Sequence, residues 1–304
     1  QYLPTIAQFL QLALNSDNSD ILVYGVQLFS SLLQTEIPIS QFSETFLTIF
    51  RRSLEIFHKF LIDDDMDNGS KISNSISKML KSDPLISPAP ELYKLLLQLL
   101  SDTSISKDTH HLPLFPIKEL IKYYGSELQE FFPQSSQLFI LIASRQFNDV
   151  GFFYLDGPLS IIPLFEHMAN SVSDPKQFIA FVLQNSCQTD NISQSFASIC
   201  AFLGISESEC DEFENFCSQI VEYSFEKLKL QNMTLTQAIL KLLFTMNEQQ
   251  GVPMTKYANV MNSLAFSLYQ AHSDEDLVHS SLDFICSIYD NDDNVVGDEA
   301  GDGK

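Results

Sequence analysis

Apolar residues recur at helical spacing through almost the whole chain, and strand-like alternation sustained over several residues is hard to find. Leu235, Ala238, Ile239, Leu242, Leu243 and Met246 trace one such stripe, with Thr, Gln and Lys between them. The same period runs through Ile6, Phe9, Leu10 and Leu14, and through Phe42, Phe46, Phe50, Phe57 and Phe60. It returns in Leu92, Leu95, Leu96, Leu99 and Leu100, and in Val278, Leu282, Ile285 and Tyr289. Only seven Gly precede residue 290, so the punctuation of sheets and phosphate loops is missing too. The chain therefore reads as all-α.

Helical segments are expected to begin near residues 4, 20, 40, 71, 89, 117, 134, 159, 174, 190, 207, 235, 254 and 274. Pairs of them recur at roughly 40 to 45 residues, the spacing of helical hairpins stacked into an armadillo or HEAT solenoid. The expected fold is a right-handed superhelix of stacked antiparallel hairpins over residues 1–289, followed by an acidic disordered tail, 290–304. Capping signals support several starts. Asp174 precedes Pro175 with Gln177 three residues on, and Ser206 with Glu209 and Thr234 with Gln237 repeat the spacing. Acids crowd expected first turns at Glu207 to Asp211 and at Asp274 to Asp276, where they answer the helix dipole. Residues 63–70 and 101–116 are polar and read as exposed loops.

Composition then excludes several function classes. The formal charge is -22, from 39 acids against 17 bases, and the tail accounts for -5 of it, leaving -17. Such a field argues against holding a phosphate backbone, so nucleic acid is not an expected partner. Neutral or basic protein surfaces are. At 45% hydrophobic residues the chain has ample material for a core. The longest apolar runs, such as Leu138 to Ala143, are far too short to cross a bilayer, so no membrane insertion is expected. The first stretch lacks the basic region and cleavage site of a signal peptide and reads as an amphipathic helix cut from a longer protein. The five Cys (Cys187, Cys200, Cys210, Cys217 and Cys286) sit in helical patterns, as expected of reduced thiols in a cytoplasmic or nuclear protein.

No catalytic constellation emerges. The run Asp63 to Gly69 fails as a calcium loop, because Gly69 at loop position six puts Met66 at position three and Ser75 where a bidentate Glu belongs. His110 and His111 have no further ligand at metal spacing and read as a solvent-facing loop pair. There is no GxSxG elbow, P-loop or dinucleotide fingerprint, so no cofactor is expected. Cys210 and Cys217, seven apart near Phe213, read as core thiols on one helical face. In the adjacent pairs Phe131-Phe132 and Phe152-Phe153, one ring of each should pack at a junction or face outward. The candidate site is the acidic cluster Glu207, Glu209, Asp211, Glu212 and Glu214, read as a docking patch for a basic peptide or protein surface.

Residues 157–165 (GPLSIIPLF), Asp174-Pro175 and Leu183-Gln184-Asn185 resemble an armadillo repeat. The pieces 16–33 and 272–288, a polar Ser-Asp opening before an apolar helix, are similar to the last helix of HEAT-type repeats. With the acidic balance and Phe/Leu-rich helices, and with residues 117–155 similar in style to later repeats, the chain resembles a piece of an importin-beta or exportin-type karyopherin. That resemblance implies inner helices that contact cargo and the Ran GTPase, and outer grooves that take Phe-Gly repeats. Importin-alpha reads its signals with repeated Trp and Asn, and this chain has no Trp. An armadillo-type adaptor or regulatory scaffold is the second reading, and a helical enzyme, unsupported by any constellation, the third.

Overall fold

The computed structural model describes residues 3–34, 43–81, 89–152, 159–186 and 191–250. Every regular element among them is helical. Twelve α-helices follow in order: α1 (Leu3–Leu14), α2 (Ser19–Leu33), α3 (Ser43–Ile62), α4 (Met66–Lys81), α5 (Ala89–Leu100) and α6 (Leu114–Leu128), then α7 (Phe132–Arg145), α8 (Ile162–Ser171), α9 (Pro175–Ser186), α10 (Ile192–Ser206), α11 (Cys217–Lys227) and α12 (Met233–Gln250). Short 3-10 turns join α6 to α7, precede α11 and follow it. The expected starts at 254 and 274, and the tail 290–304, lie outside the described residues.

Local chemistry sets the boundaries. Asn18 Oδ1 accepts from the amides of Asp20 and Ile21 at the start of α2, and Asn191 Oδ1 accepts from Gln194 at the start of α10. Asp174 caps α9 as expected, its Oδ1 taking the Gln177 amide at 3.0 Å with Pro175 as first helical residue. The other two expected capping boxes are not starts. Asn232 caps α12, accepting from Leu235, and frees Thr234 and Gln237 for another task described below. Ser206 closes α10 rather than opening a helix, and its hydroxyl donates back to Leu203 O.

Two expected loops are also corrected. Residues 63–70 are helical from Met66, because Asp65 Oδ1 accepts from the Asn68 amide and so caps α4. Only 63–65 turn, with Asp64 in the left-handed region at φ 58°. Residues 101–113 form turns, yet Ile105, Thr109, His110 and Leu112 are buried. Thr109 Oγ1 donates to Leu61 O, Ser73 Oγ donates to Leu112 O, and Ser106 N donates to Leu61 O, so α3 and α4 hold this loop down. Polarity predicted exposure here, but the buried Thr109 and His110 side chains found backbone partners.

The tertiary arrangement has a repeating logic. Helices α2, α4, α6, α8, α10 and α12 each pack against the next, forming a continuous spine. The other helices lie against it: α1 on α2, α3 on α4, α5 on α6, α7 and α9 on α10, and α11 on α12. Several polar links between elements span about 40 positions. Arg52 Nε donates to Leu14 O across 38 positions, Arg51 pairs with Glu91 across 40, Tyr93 donates to Ser135 across 42, and the Ser173 amide donates to Gln129 Oε1 across 44.

The spine carries the core. Leu235, Ala238, Ile239, Leu242, Leu243 and Met246 are all buried, as their stripe predicts, and so are Phe50, Phe57 and Phe60. Phe9 departs from its stripe and is exposed. Gly204 marks where α10 and α8 come closest, since a Cβ there would overlap the Ile162 carbonyl oxygen.

Candidate protein-binding surface

The acidic segment 207–216 connects α10 to α11, and a buried framework positions it. Ser208, Cys210, Phe213 and Cys217 point inward while Glu207, Glu209 and Glu214 are exposed. The Glu209 amide donates to Asn170 Oδ1 at 3.0 Å, tying the segment to α8 across 39 positions. Cys217 Sγ donates to Phe213 O at 3.5 Å. Cys210 precedes a 3-10 turn over Asp211–Phe216, so it does not share a helical face with Cys217 as expected. Both are core thiols, and burial pushes Cys217 up to about 12. Cys200 is buried as well, whereas Cys187 and Cys286 lie outside the described residues.

The five acids do not form one patch. Glu207 is the C-cap of α10, the negative end of that dipole, and not a first-turn acid. Partial burial raises its carboxyl pKa, Lys241 of α12 lowers it, and Glu166 of α8 raises it again. Glu207 thus feels charges on two spine helices, α12 and α8. Glu212 turns the other way and meets Lys176 Nζ of α9 at 3.1 Å while accepting from Asn215 Nδ2. Glu209 and Glu214 remain open to solvent. The Asp211 side chain lies outside the described residues. Sequence spacing on a continuous helix would have put these charges together, but the 3-10 turn and its buried anchors separate them.

A groove of about 290 Å³ opens between the starts of α7 and α9. Phe132, Pro133, Val172, Phe178 and Phe181 supply its apolar wall, and Gln129, Asp174 and Gln177 its polar rim. Nothing in the sequence singled it out, because its two halves are about forty positions apart and both sit on ordinary apolar stripes. Phe131, next to buried Phe132, packs between the Tyr93 ring and Lys94, the junction role expected of one ring in the pair.

His110 is not solvent-facing. Its Nε2 lies 2.7 Å from Leu100 O, and because a carbonyl can only accept, Nε2 carries the proton. Burial holds the ring below its ordinary 6.5. Nearby, His58 Nε2 lies 2.7 Å from Asp102 Oδ2, while the Ser104 hydroxyl donates to Asp102 Oδ1. His and Ser both engage the carboxylate and not each other, so this trio lacks the serine-to-base contact of a nucleophilic triad. It fastens the 101–113 loop to α3. Among the described residues no group of three His, Cys, Asp or Glu could hold a metal ion, and no helix is long and apolar enough to cross a membrane.

No protein-family model matches the chain, and a search of curated proteins finds no match.

Proposed function

We propose that the chain is a protein-binding helical scaffold, a right-handed solenoid of ARM/HEAT-like hairpins, and specifically a piece of a karyopherin-type transport receptor. One observation carries this: every second helix packs on the next, with polar links between elements recurring about 40 positions apart. Stacked hairpins of that period bury one face per unit and leave long surfaces for partners. The karyopherin reading adds the resemblance of residues 117–155, the acidic balance, and the groove between α7 and α9, whose aromatic wall suits a Phe side chain. On this reading the spine side meets cargo and Ran, and the protein works in the cytoplasm and nucleus without catalysis. Glu209 and Glu214, with Asp211 and Glu212 beside them, would steer basic partners.

An armadillo-type adaptor without a transport role is the second reading, favoured by residues 159–186, where α8 and α9 follow one another between the resemblance's Leu159 and Asn185. A pull-down with GTP-loaded and GDP-loaded Ran separates the two. Capture of the GTP form alone supports the receptor, and equal or absent capture of both removes it. Charge reversal at Asp211, Glu212 and Glu214 tests the acidic segment, and unchanged affinity for a captured partner takes it out of the site.

A further inference from the structure

Helices α4 and α6 depart from the charge of the chain that holds them. The whole sequence has 39 acids against 17 bases, yet these two neighbouring spine helices carry Lys71, Lys78, Lys81, Lys118 and Lys122 against Asp67, Glu119 and Glu127. Two of those acids sit apart from most of the lysines. Asp67 pairs with Lys71 at 3.2 Å near the start of α4, about 16 Å along the helix from Lys78. Glu127 follows a kink at Tyr124, more than one turn beyond Lys122.

The remaining four lysines converge on one buried carboxylate. Lys81 Nζ lies 3.4 Å from Glu119 Oε2, and Lys118 Nζ lies 3.9 Å from Oε1. No hydrogen bond reaches Oε2. Lys122 follows Lys118 by four positions on the same face of α6, and Lys78 precedes Lys81 by three on the exposed side of α4. The next spine helix, α8, adds Glu166 and His167. The His167 ring is held low first by burial, and it also feels Glu166, Lys122, Lys118 and Glu119. Four ammonium groups thus face two carboxylates. A buried carboxylate requires a cation beside it, which accounts for Lys81 and Lys118. It does not account for Lys78 and Lys122, which form no ion pair among the described residues.

We propose that this lysine cluster docks an acidic peptide segment of a partner protein, with Asp or Glu side chains of that segment meeting Lys78, Lys81, Lys118 and Lys122. The sign of the partner follows from charge complementarity, and its class from the kind of cation. None of the four is an Arg, whose fork matches phosphate, and none lies in the first turn of its helix, where open amides would add to a phosphate cradle. Lysines are flexible point charges, suited to carboxylates on a pliable chain. Lys118 and Lys122 are about 6 Å apart along α6, and the two helix axes about 10 Å apart, distances that side chains two or three residues apart on an extended peptide match. Phe115, one turn before Lys118 and 36% exposed, offers apolar contact to a residue flanking the acids. A nucleic-acid strand would run past the cluster toward Glu166 and Glu207 in a chain of net charge -22. Docking of an acidic peptide is independent of the transport reading, whose acidic segment would steer basic partners.

Fluorescence anisotropy of a labelled 12-residue Asp/Glu peptide with the full 304-residue chain tests this. The chain's net charge repels such a peptide, so capture does not follow from composition. The expected Kd is on the order of 100 μM in 0.05 M NaCl, weakening at least about fivefold in 0.3 M NaCl. Lys78→Gln with Lys122→Gln leaves both Glu119 ion pairs in place and should weaken binding at least about fivefold with unchanged helical content. Lys107→Gln with Lys229→Gln, the same change of charge at exposed lysines elsewhere, should weaken it less than about twofold. Absence of binding up to about 500 μM chain in 0.05 M NaCl overturns the proposal. Equal effects of the two double variants, or tighter binding of a 12-nucleotide single strand than of the peptide, overturn it as well.

Discussion

Helices α1 and α10 are alike in sequence and opposite in setting. Neither contains an acid or a base, and both are rich in Leu, Ile, Phe and Ala. Helix α10 is buried at every position from Ser195 to Ser206, enclosed by α7, α8, α9, α11 and α12. Helix α1 touches the molecule along one side and shows Phe9 and Leu12 to solvent. The absence of charge marks a helix whose every side tolerates cover. It does not say whether the cover lies within the chain.

The largest way to break the comparison is at Gly204. Gly204→Val drives a side chain into the Ile162 backbone, which cannot retreat without moving α8, and should cost more than about 4 kcal/mol. Urea melts should lose their cooperative transition. Gly25→Ala, at the α1–α2 contact, meets the Ala13 methyl at 3.1 Å and Leu14 Cδ2 at 3.3 Å, and should change stability by less than about 1 kcal/mol. Next comes the core itself. Phe202→Ala in α10 removes a fully buried ring and should cost about 3–5 kcal/mol, against less than about 0.5 kcal/mol for Phe9→Ala in α1.

The spine's far end is held by a strap. Asp149 Oδ1 accepts from Asn232 Nδ2 and Thr234 Oγ1, Gly151 N donates to Thr234 Oγ1, and Phe152 N donates to Gln237 Oε1. These links span 83 to 85 positions, twice the usual period. Thr234→Val keeps the shape, orphans the Gly151 amide, and should cost about 1–2 kcal/mol in denaturant midpoint.

A smaller effect separates the loop from both helices. The His110 ring faces Leu100 O, Arg145 and Asp102, and its folded pKa lies below 6.5. The unfolded chain therefore binds its proton more readily, so the neutral ring's contribution is fully present above pH 6.5 and is lost progressively as pH falls below it. The melting temperature should drop between pH 7 and 5, and His110→Gln should flatten that drop. His167, also held low by burial, acts in the same direction, and Glu207, whose carboxyl is held high by burial, acts against both. The smallest change expected is at Lys176→Ala, which removes an exposed pair with Glu212 and should shift stability by at most about 1 kcal/mol.

Helix existence was legible because stripes such as Leu235 to Met246 record a buried face directly. The all-helical class followed, and so did most boundaries, since Asp174-Pro175 announces a start in two adjacent residues. Boundaries failed where distant parts supplied partners. Thr234 and Gln237 have capping-box spacing but serve the strap, and His110 looked solvent-facing because its acceptor, Leu100 O, is a backbone atom with no sequence signature. The acidic cluster was legible as composition and not as geometry. A 3-10 turn anchored by Phe213 and Cys217 divides it, and no local spacing forecasts that. The open face of α1–α2 could have been suspected from α2 alone, whose apolar residues cover most of its circumference and leave a polar strip at Asp20, Gln27 and Ser31.

Amide hydrogen exchange compares the two helices most directly. Amides from Ser195 to Ser206 should exchange only through global unfolding, and those from Leu10 to Leu14 through local opening at least about a hundredfold faster. Equal protection of the two segments would contradict a buried spine with an open terminal pair.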